Sequence, residues 1–249
     1  MKDKLLVFGG TAEARELLEN GIPAICSVAT VYGAKMLDGI KNAKMIVGRL
    51  DEERMRELLE SEKITFVVDA THPYAREVTK NISEACKKTR IPLMRVVRER
   101  VLTDDSVIVA ESCREAARLL DGIPGRCFLT TGSNELDRFT EVNDYKNRLY
   151  ARVLPLSSII KRCEELGFDA AHIIAMQGPF SREMNKQMMI MTGASVIITK
   201  DGGIPGGTES KLEAARDLSV RAILVRRPDE SGYSQKEACA WIKRNLDLG

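Results

Sequence analysis

An α/β fold with mainly parallel sheets is predicted for this chain of 249 residues, and three observations predict it. Short apolar runs recur along the sequence, amphipathic charged stretches long enough for helices separate them, and glycine, proline, serine and threonine punctuate the joints. Strand alternating with helix in this way builds sheets whose crossover helices cover both faces.

The first run, LLVF at 5–8, is followed at once by GGT and then AEARELLENG, in which Ala14, Leu17 and Leu18 form an apolar face and Gly21 supplies a stop. PAICSVAT (23–30) and KMIVG (44–48) are the next strands. YGAKMLDG between them is compatible with a helix, and DEERMRELLESEK (51–63) is a charged one. ITFVVDA (64–70) forms a fourth strand. Pro73 then sits in the first turn of a helix through YAREVTKNISEACKKT, where its missing N–H is no loss. IPLMRVV is the fifth strand.

The second half repeats the pattern, with strands at RCFLTTG (126–132), NRLYARVLP (147–155), AHIIAM (171–176), ASVIITK (194–200) and RAILVRRP (221–228). ESCREAARLLDG and SSIIKRCEELG are the clearest helices between them. Residues 99–109 mix charges and β-formers without a clean period and mark the boundary. The expectation is therefore two Rossmann-like lobes, 1–98 and 99–249, with a ligand cleft between them.

Composition excludes several classes. With 44% hydrophobic and 30% charged residues the chain can build a core, and 38 basic against 36 acidic residues leave a net charge of +2, too balanced for a nucleic-acid or membrane binder. Six cysteines at 26, 86, 113, 127, 163 and 239 show no CxxC pair or zinc spacing, as expected of reduced thiols in a cytoplasmic protein that holds no metal. No stretch approaches the roughly 20 apolar residues of a membrane helix. The sequence does not specify the oligomeric state.

Function is sought at the strand ends, because open α/β sheets bind ligands at their carboxyl edge. Gly9, Gly10 and Thr11 follow the first strand and open a helix, the context in which backbone N–H groups and a helix N-terminus cradle phosphate. The pattern is GGTAEA and not GxGxxG, so a plain tight turn is the competing reading. The second strand ends in CSVAT without the acid that holds the ribose hydroxyls of NAD, which favours NADP, with Ser27, Thr30, Lys35 and Arg49 available to a 2′-phosphate. FVVDATHPY delivers Asp69, Ala70, Thr71 and His72 to the same edge. In the second lobe Thr131, Gly132 and Ser133, then Gln177 and Gly178, then Lys200, Asp201, Gly206 and Gly207 end or follow strands. Helix caps and flexible turns are the bland alternatives. Arg15, Arg49, Arg98, Arg100, Arg152, Lys200 and Lys211 could meet a ligand bearing several carboxylates. Helical surface charge competes for Arg15 and Lys211.

Taken together, GGTAEAR, VVDATHPYA, FLTTGSNEL, ARVLP, MQGPFSREMN and TKDGG with VRRP make the chain resemble the precorrin-6A reductases of cobalamin biosynthesis, including the cobalt-precorrin-6A reductases of the anaerobic branch. The resemblance spans nearly the whole chain. It implies NADPH as cofactor and a tetrapyrrole substrate with acetate and propionate arms, one carbon–carbon double bond of which is reduced. Gly9, Gly10, Thr11, Ser27, Thr30, Arg49, Asp69, Ala70 and Thr71 are then expected at the cofactor. Arg15, Thr131, Gly132, Ser133, Arg152, Gln177, Gly178, Gly206 and Gly207 are expected at the substrate. His72, whose unperturbed pKa is about 6.5, could supply the proton, with Lys200 and Asp201 the rival pair and water a third source. RVVRERVL lacks the proline-rich ending of many relatives, so Arg98 and Arg100 carry no assigned role. The alternatives are an NADP-dependent reductase of another small acid, a methyltransferase, and a dinucleotide-sensing regulatory protein.

Overall fold

The computed structural model describes residues 2–101 and 103–248. Its chain divides into two compact units, one running through Glu99 and regaining the segment from Pro228 onward, the other Arg100–Arg227.

The first unit is a five-stranded sheet. Its elements in chain order are β1 (Leu5–Phe8), α1 (Ala12–Glu19), β2 (Ala24–Val28), α2 (Val31–Lys35), β3 (Ala43–Val47), α3 (Glu52–Ser61), β4 (Phe66–Asp69), α4 (Arg76–Thr89) and β5 (Leu93–Arg95). Every pairing is parallel and the spatial order is β3-β2-β1-β4-β5. Successive strands therefore run outward from β1 in one direction and then, from β4, in the other. The crevice between the carboxyl ends of β1 and β4 is the switch point at which such sheets bind ligands. All four residues of β1 are buried, which explains its unbroken apolar run: Leu5 and Val7 join the core under α1, Leu6 and Phe8 the core under α3 and α4.

The second unit has six parallel strands. It contains β6 (Val107–Ala110), α5 (Cys113–Asp121), β7 (Arg126–Leu129), α6 (Tyr145–Arg148), β8 (Leu149–Val153), α7 (Ser157–Glu165), β9 (Ile173–Ala175), α8 (Arg182–Thr192), β10 (Ala194–Lys200), α9 (Thr208–Asp217) and β11 (Arg221–Val225). The order β6-β11-β10-β7-β8-β9 places its reversal between β7 and β10.

Three expectations are corrected. The mixed segment 99–109 runs into β6, an edge strand on β11 whose run VIVA lies inside the supposed linker except for its last residue, Ala110. NRLYARVLP opens with the helical turn α6 and AHIIAM with a 3-10 turn at Ala170–His172, so β8 and β9 start later than expected. The second lobe also does not extend to 249. From Pro228 the chain returns to the first unit, where Tyr233 forms a parallel bridge with Val96 and a final helix, α10 (Gln235–Asn245), seals the face that α1 leaves open. Ala238 and Ile242 enter the same core as Leu17 and Leu18, and Trp241 packs on Phe66 with ring centroids 5.0 Å apart. The cause is burial: without α10 the apolar residues beneath it would face water.

The returning segment fits only because Gly232 has no side chain. A Cβ there would meet the Arg95 carbonyl oxygen at 2.5 Å and Val97 Cγ1 at 2.8 Å. Gly232→Ala is therefore expected to lower stability by about 1–3 kcal/mol through overpacking. Trp241, the only tryptophan, reports the loosening as an earlier fluorescence transition in urea; an unchanged midpoint would contradict the strap.

Candidate functional site

At the first unit's switch point, two loops are tied to each other. Gly9 donates its N–H to the Ser27 carbonyl (2.9 Å), and its Cα lies so near α1 that a Cβ would sit 2.5 Å from Ala14 Cβ. Gly10 has φ +91°, a left-handed conformation that glycine adopts without strain. Thr11 caps α1 by accepting the Ala14 N–H and donates its hydroxyl to the Ala70 carbonyl (2.7 Å). No hydrogen bond among the described residues uses the N–H groups of Gly10, Thr11 or Ala12. A turn of this kind leaves donors at a helix N-terminus open to an anion.

Asp69, 1% exposed, anchors the other loop. Its Oδ1 accepts the Thr71 N–H (3.0 Å), the Thr71 hydroxyl (2.7 Å) and Arg95 Nη1 (2.8 Å), while Arg95 Nη2 reaches Glu230 Oε1 (2.8 Å) in the returning segment. Oδ2 is buried with no hydrogen-bond partner. Asp69 thus fixes the loop, with Ala70 buried beside it and Thr71 partly exposed. His72 is exposed, and its Nδ1 accepts the Tyr74 N–H (3.3 Å), which puts the proton of the neutral ring on Nε2.

One feature of this corner escaped sequence reading. Glu13, in the first turn of α1, is buried and paired with Arg98 through Nε–Oε1 (2.6 Å) and Nη2–Oε2 (2.8 Å). Burial pushes the Glu13 carboxyl up, but the Arg98 hydrogen bond and charge outweigh it and hold the pKa below the ordinary value. The two residues are 85 apart in sequence, and no local pattern links them.

Along the same edge, Thr30 caps α2 by accepting the Gly33 N–H (3.0 Å), and Ser27 is buried, with its carbonyl taken by Gly9. Arg49, just beyond β3, is exposed and has no ion pair among the described residues. Gly48 donates to the Val28 carbonyl (2.9 Å), which keeps the ends of β2 and β3 together. Arg15 is engaged elsewhere, with Glu19 (2.7 Å) and the Met36 carbonyl (2.7 Å), and so ties α1 to α2.

In the second unit the loops after β7 and β10 flank the switch point. Thr131 is buried with an unpartnered hydroxyl, and Gly132 has φ +77° with open space where a Cβ would be. Ser133 is partly exposed; Gln177 is exposed and Gly178 partly so, in the loop after β9. Lys200 pairs with Glu135 (3.0 Å). Asp201, 4% exposed, accepts the Gly203 N–H (3.2 Å) and faces Arg227 (3.4 Å). Lys200, the last residue of β10, and Asp201, just beyond it, are thus both ion-paired within the second unit. Gly206 packs on Gly202, where a Cβ would approach the backbone at 2.6 Å, and Gly207 (φ +63°) starts α9.

Arg152 differs from the paired arginines of the first unit. It is 7% exposed, its guanidinium lies 4.0 Å from the Phe180 ring centroid and 5.2 Å from that of Phe128, and Nη1 donates to Asn185 Oδ1 (2.8 Å). Burial lowers its pKa to about 10, still charged at neutral pH. Lys211 Nζ donates to the Gly206 carbonyl (2.8 Å). Burial, with the like charge of Arg152 adding to it, lowers this lysine to about 7.

Two doubly wound parallel sheets, the first with an open glycine turn at its switch point, define a Rossmann-type α/β protein. The profile of the family described as Precorrin-6x reductase CbiJ/CobK matches residues 4–243, and the chain belongs to that family. Among curated relatives, the cobalt-precorrin-6A reductase of Priestia megaterium is 34% identical over 233 residues, covering 90% of each chain. That of Salmonella typhimurium is 34% identical over 231 residues, covering 90% of this chain and 87% of its own. A solved CobK precorrin-6A reductase shares the fold with a TM-score of 0.78 at 23% identity, covering 97% of this chain and 96% of that one.

The Glu13–Arg98 pair has a pH signature. A carboxyl whose pKa falls on folding contributes stability that is full above its unfolded value, about 4.3, and is lost as pH falls through the lower folded value. Glu13→Gln should flatten this acid limb in a plot of Tm against pH. Arg98→Met, which strands a buried carboxylate, should cost about 3–5 kcal/mol near neutrality, and adding Glu13→Gln should recover most of the loss.

Proposed function

We propose that this chain reduces one carbon–carbon double bond of precorrin-6A, in its cobalt-bearing form, with NADPH as the hydride source. Family membership supports the reaction, and the names of the two curated relatives support the cobalt-bearing substrate. The observation that carries the cofactor is the glycine turn of β1, with its three unused N–H groups beside a loop locked by Thr11 and Asp69. When bound, NADPH supplies hydride to one ring carbon; the protein must orient the partners and see that the neighbouring carbon gains a proton.

Several residues fit that cofactor. Gly10, Thr11 and Ala12 would receive the diphosphate, with Arg98 offsetting the Glu13 carboxylate at the same helix end. The β2 end carries no acid, and exposed Arg49 with Thr30 suits the additional phosphate that distinguishes NADPH from NADH. Asp69, buried and turned to Arg95 and Thr71, serves the cofactor by holding Ala70 and Thr71 in place. His72, exposed on that loop, is the proton donor in this reading. Thr131, Gly132, Ser133, Gln177, Gly178, Gly206 and Gly207 shape the substrate side in the second unit, while Arg15, held by Glu19 and Met36, acts through α1. All six cysteines are free thiols, five of them buried, which suits a reducing cytoplasm.

Anaerobic incubation with precorrin-6A or cobalt-precorrin-6A should oxidise NADPH, faster with the cobalt form; no loss of nicotinamide absorbance with either would refute the assignment. Arg49→Met should raise KM for NADPH by about 10- to 100-fold and leave that for NADH unchanged. His72→Phe should lower kcat without altering NADPH affinity.

A further inference from the structure

Cations buried in a protein are normally matched by acids, because an isolated buried charge is costly. The first unit obeys this rule with Arg95 on Asp69 and Arg98 on Glu13. In the second unit Arg152 and Lys211 do not. Arg152 is buried and Lys211 half-buried; neither has a carboxylate partner among the described residues, and the charge of Arg152 at the carboxyl end of β8 acts against that of Lys211 in the first turn of α9.

The arrangement is nevertheless built. Phe180 covers the guanidinium from the loop before α8, Asn185, itself 0% exposed, fixes its Nη1, and the Gly206 carbonyl fixes the ammonium. Asn185 is held in turn by the Ser181 carbonyl (2.8 Å). In the loop after the neighbouring strand β7, Thr131 adds a buried hydroxyl without a partner among the described residues.

Of the acids on α8 and α9, Glu213 and Asp217 are taken by Arg182 and Asp217 also by Lys186, while Glu183 and Glu209 are exposed and paired with neither Arg152 nor Lys211. At the end of β10 Lys200 holds Glu135, and beyond β11 Arg227 faces Asp201.

We propose that Arg152 and Lys211 form a clamp for one carboxylate arm of the substrate, making Lys211 a specificity-determining residue. The proposal rests on the tetrapyrrole reading for the identity of the arm. Its chemistry, a carboxylate between a guanidinium and an ammonium, stands without it.

An arriving carboxylate favours the charged lysine, so above pH about 7 binding takes up a proton and affinity falls as pH rises. The same cations should weaken the empty protein, since nothing offsets them until the ligand arrives.

The test uses the full chain and two probes: uroporphyrin, which carries acetate and propionate arms, against its methyl ester, and glutarate. Binding is followed by calorimetry from pH 6 to 9, with NADPH binding as the control for folding. Uroporphyrin should bind and the ester should not. Its Kd should climb by up to about tenfold per pH unit above neutrality. Lys211→Met should weaken binding at pH 6 by about 10- to 100-fold and remove the pH slope, with NADPH binding unchanged. Arg152→Met should weaken binding similarly while holding or raising Tm, whereas a purely structural arginine would lower it.

Uroporphyrin binding that ignores both substitutions would overturn the clamp and leave the tetrapyrrole reading standing. If uroporphyrin fails to bind the native protein but glutarate shows the Lys211-dependent, proton-linked behaviour, the clamp holds and the tetrapyrrole reading fails. Binding of neither probe would overturn the clamp.

Discussion

The buried carboxylate of Asp69 is the point through which the first unit's working edge is assembled. A single oxygen holds the Thr71 amide, the Thr71 hydroxyl and Arg95, and Arg95 extends the hold to Glu230 on the segment that returns from the far end of the chain. Thr11 then joins the glycine turn to Ala70. A loop at the end of one strand, the loop of its neighbour and the C-terminal strap are thus linked by charge-assisted and neutral hydrogen bonds away from bulk water, where such bonds are strong and costly to break. Preorganisation of this sort lets a cofactor bind without first ordering the loops that receive it.

The two units use buried charge in opposite ways. In the first, Arg95 and Arg98 meet carboxylates at 2.8 and 2.6 Å, and their contribution is architectural. In the second, Arg152 is held by an amide oxygen and an aromatic face, and Lys211 by a carbonyl; these orient a cation without neutralising it. Satisfied charge maintains shape, while charge that is oriented but unneutralised stores binding energy for an anion. A scaffold of two parallel sheets accommodates both because each exposes its own switch point, where the backbone turns away and leaves room for polar side chains.

Much of this was legible in the sequence wherever the cause is local. LLVF followed by GGT specifies a buried strand and a turn that only glycine can make, and FVVDATHP ends a strand in a turn, although α4 starts at Arg76, beyond Pro73, with no side-chain cap. The parallel α/β class follows from the same alternation. What could not be read depends on contacts distant along the chain. Nothing near Pro228 says that the chain goes back to bridge Val96, and Glu13 resembles any surface acid until Arg98 arrives from beyond β5. β6 was obscured because a short edge strand carries little apolar signal amid charges. For Lys211 the sequence leaves pocket cation and helical surface charge both open, because only the folded 202–207 loop reveals the Gly206 carbonyl beside it. For Asp201 and Lys200 the sequence shows polar residues at a strand end, and their partners Arg227 and Glu135, distant along the chain, are visible only in the fold.

The central claim is that the locked corner between β1 and β4 is where the reduced dinucleotide sits. Amide hydrogen exchange with and without NADPH tests it most directly, because it reads the very N–H groups that the fold leaves unused. Exchange should slow at Gly10, Thr11 and Ala12, with smaller protection across Ala70 to His72. If NADPH binds yet leaves those amides exchanging at their original rates, with protection appearing only in the second unit, the account is wrong.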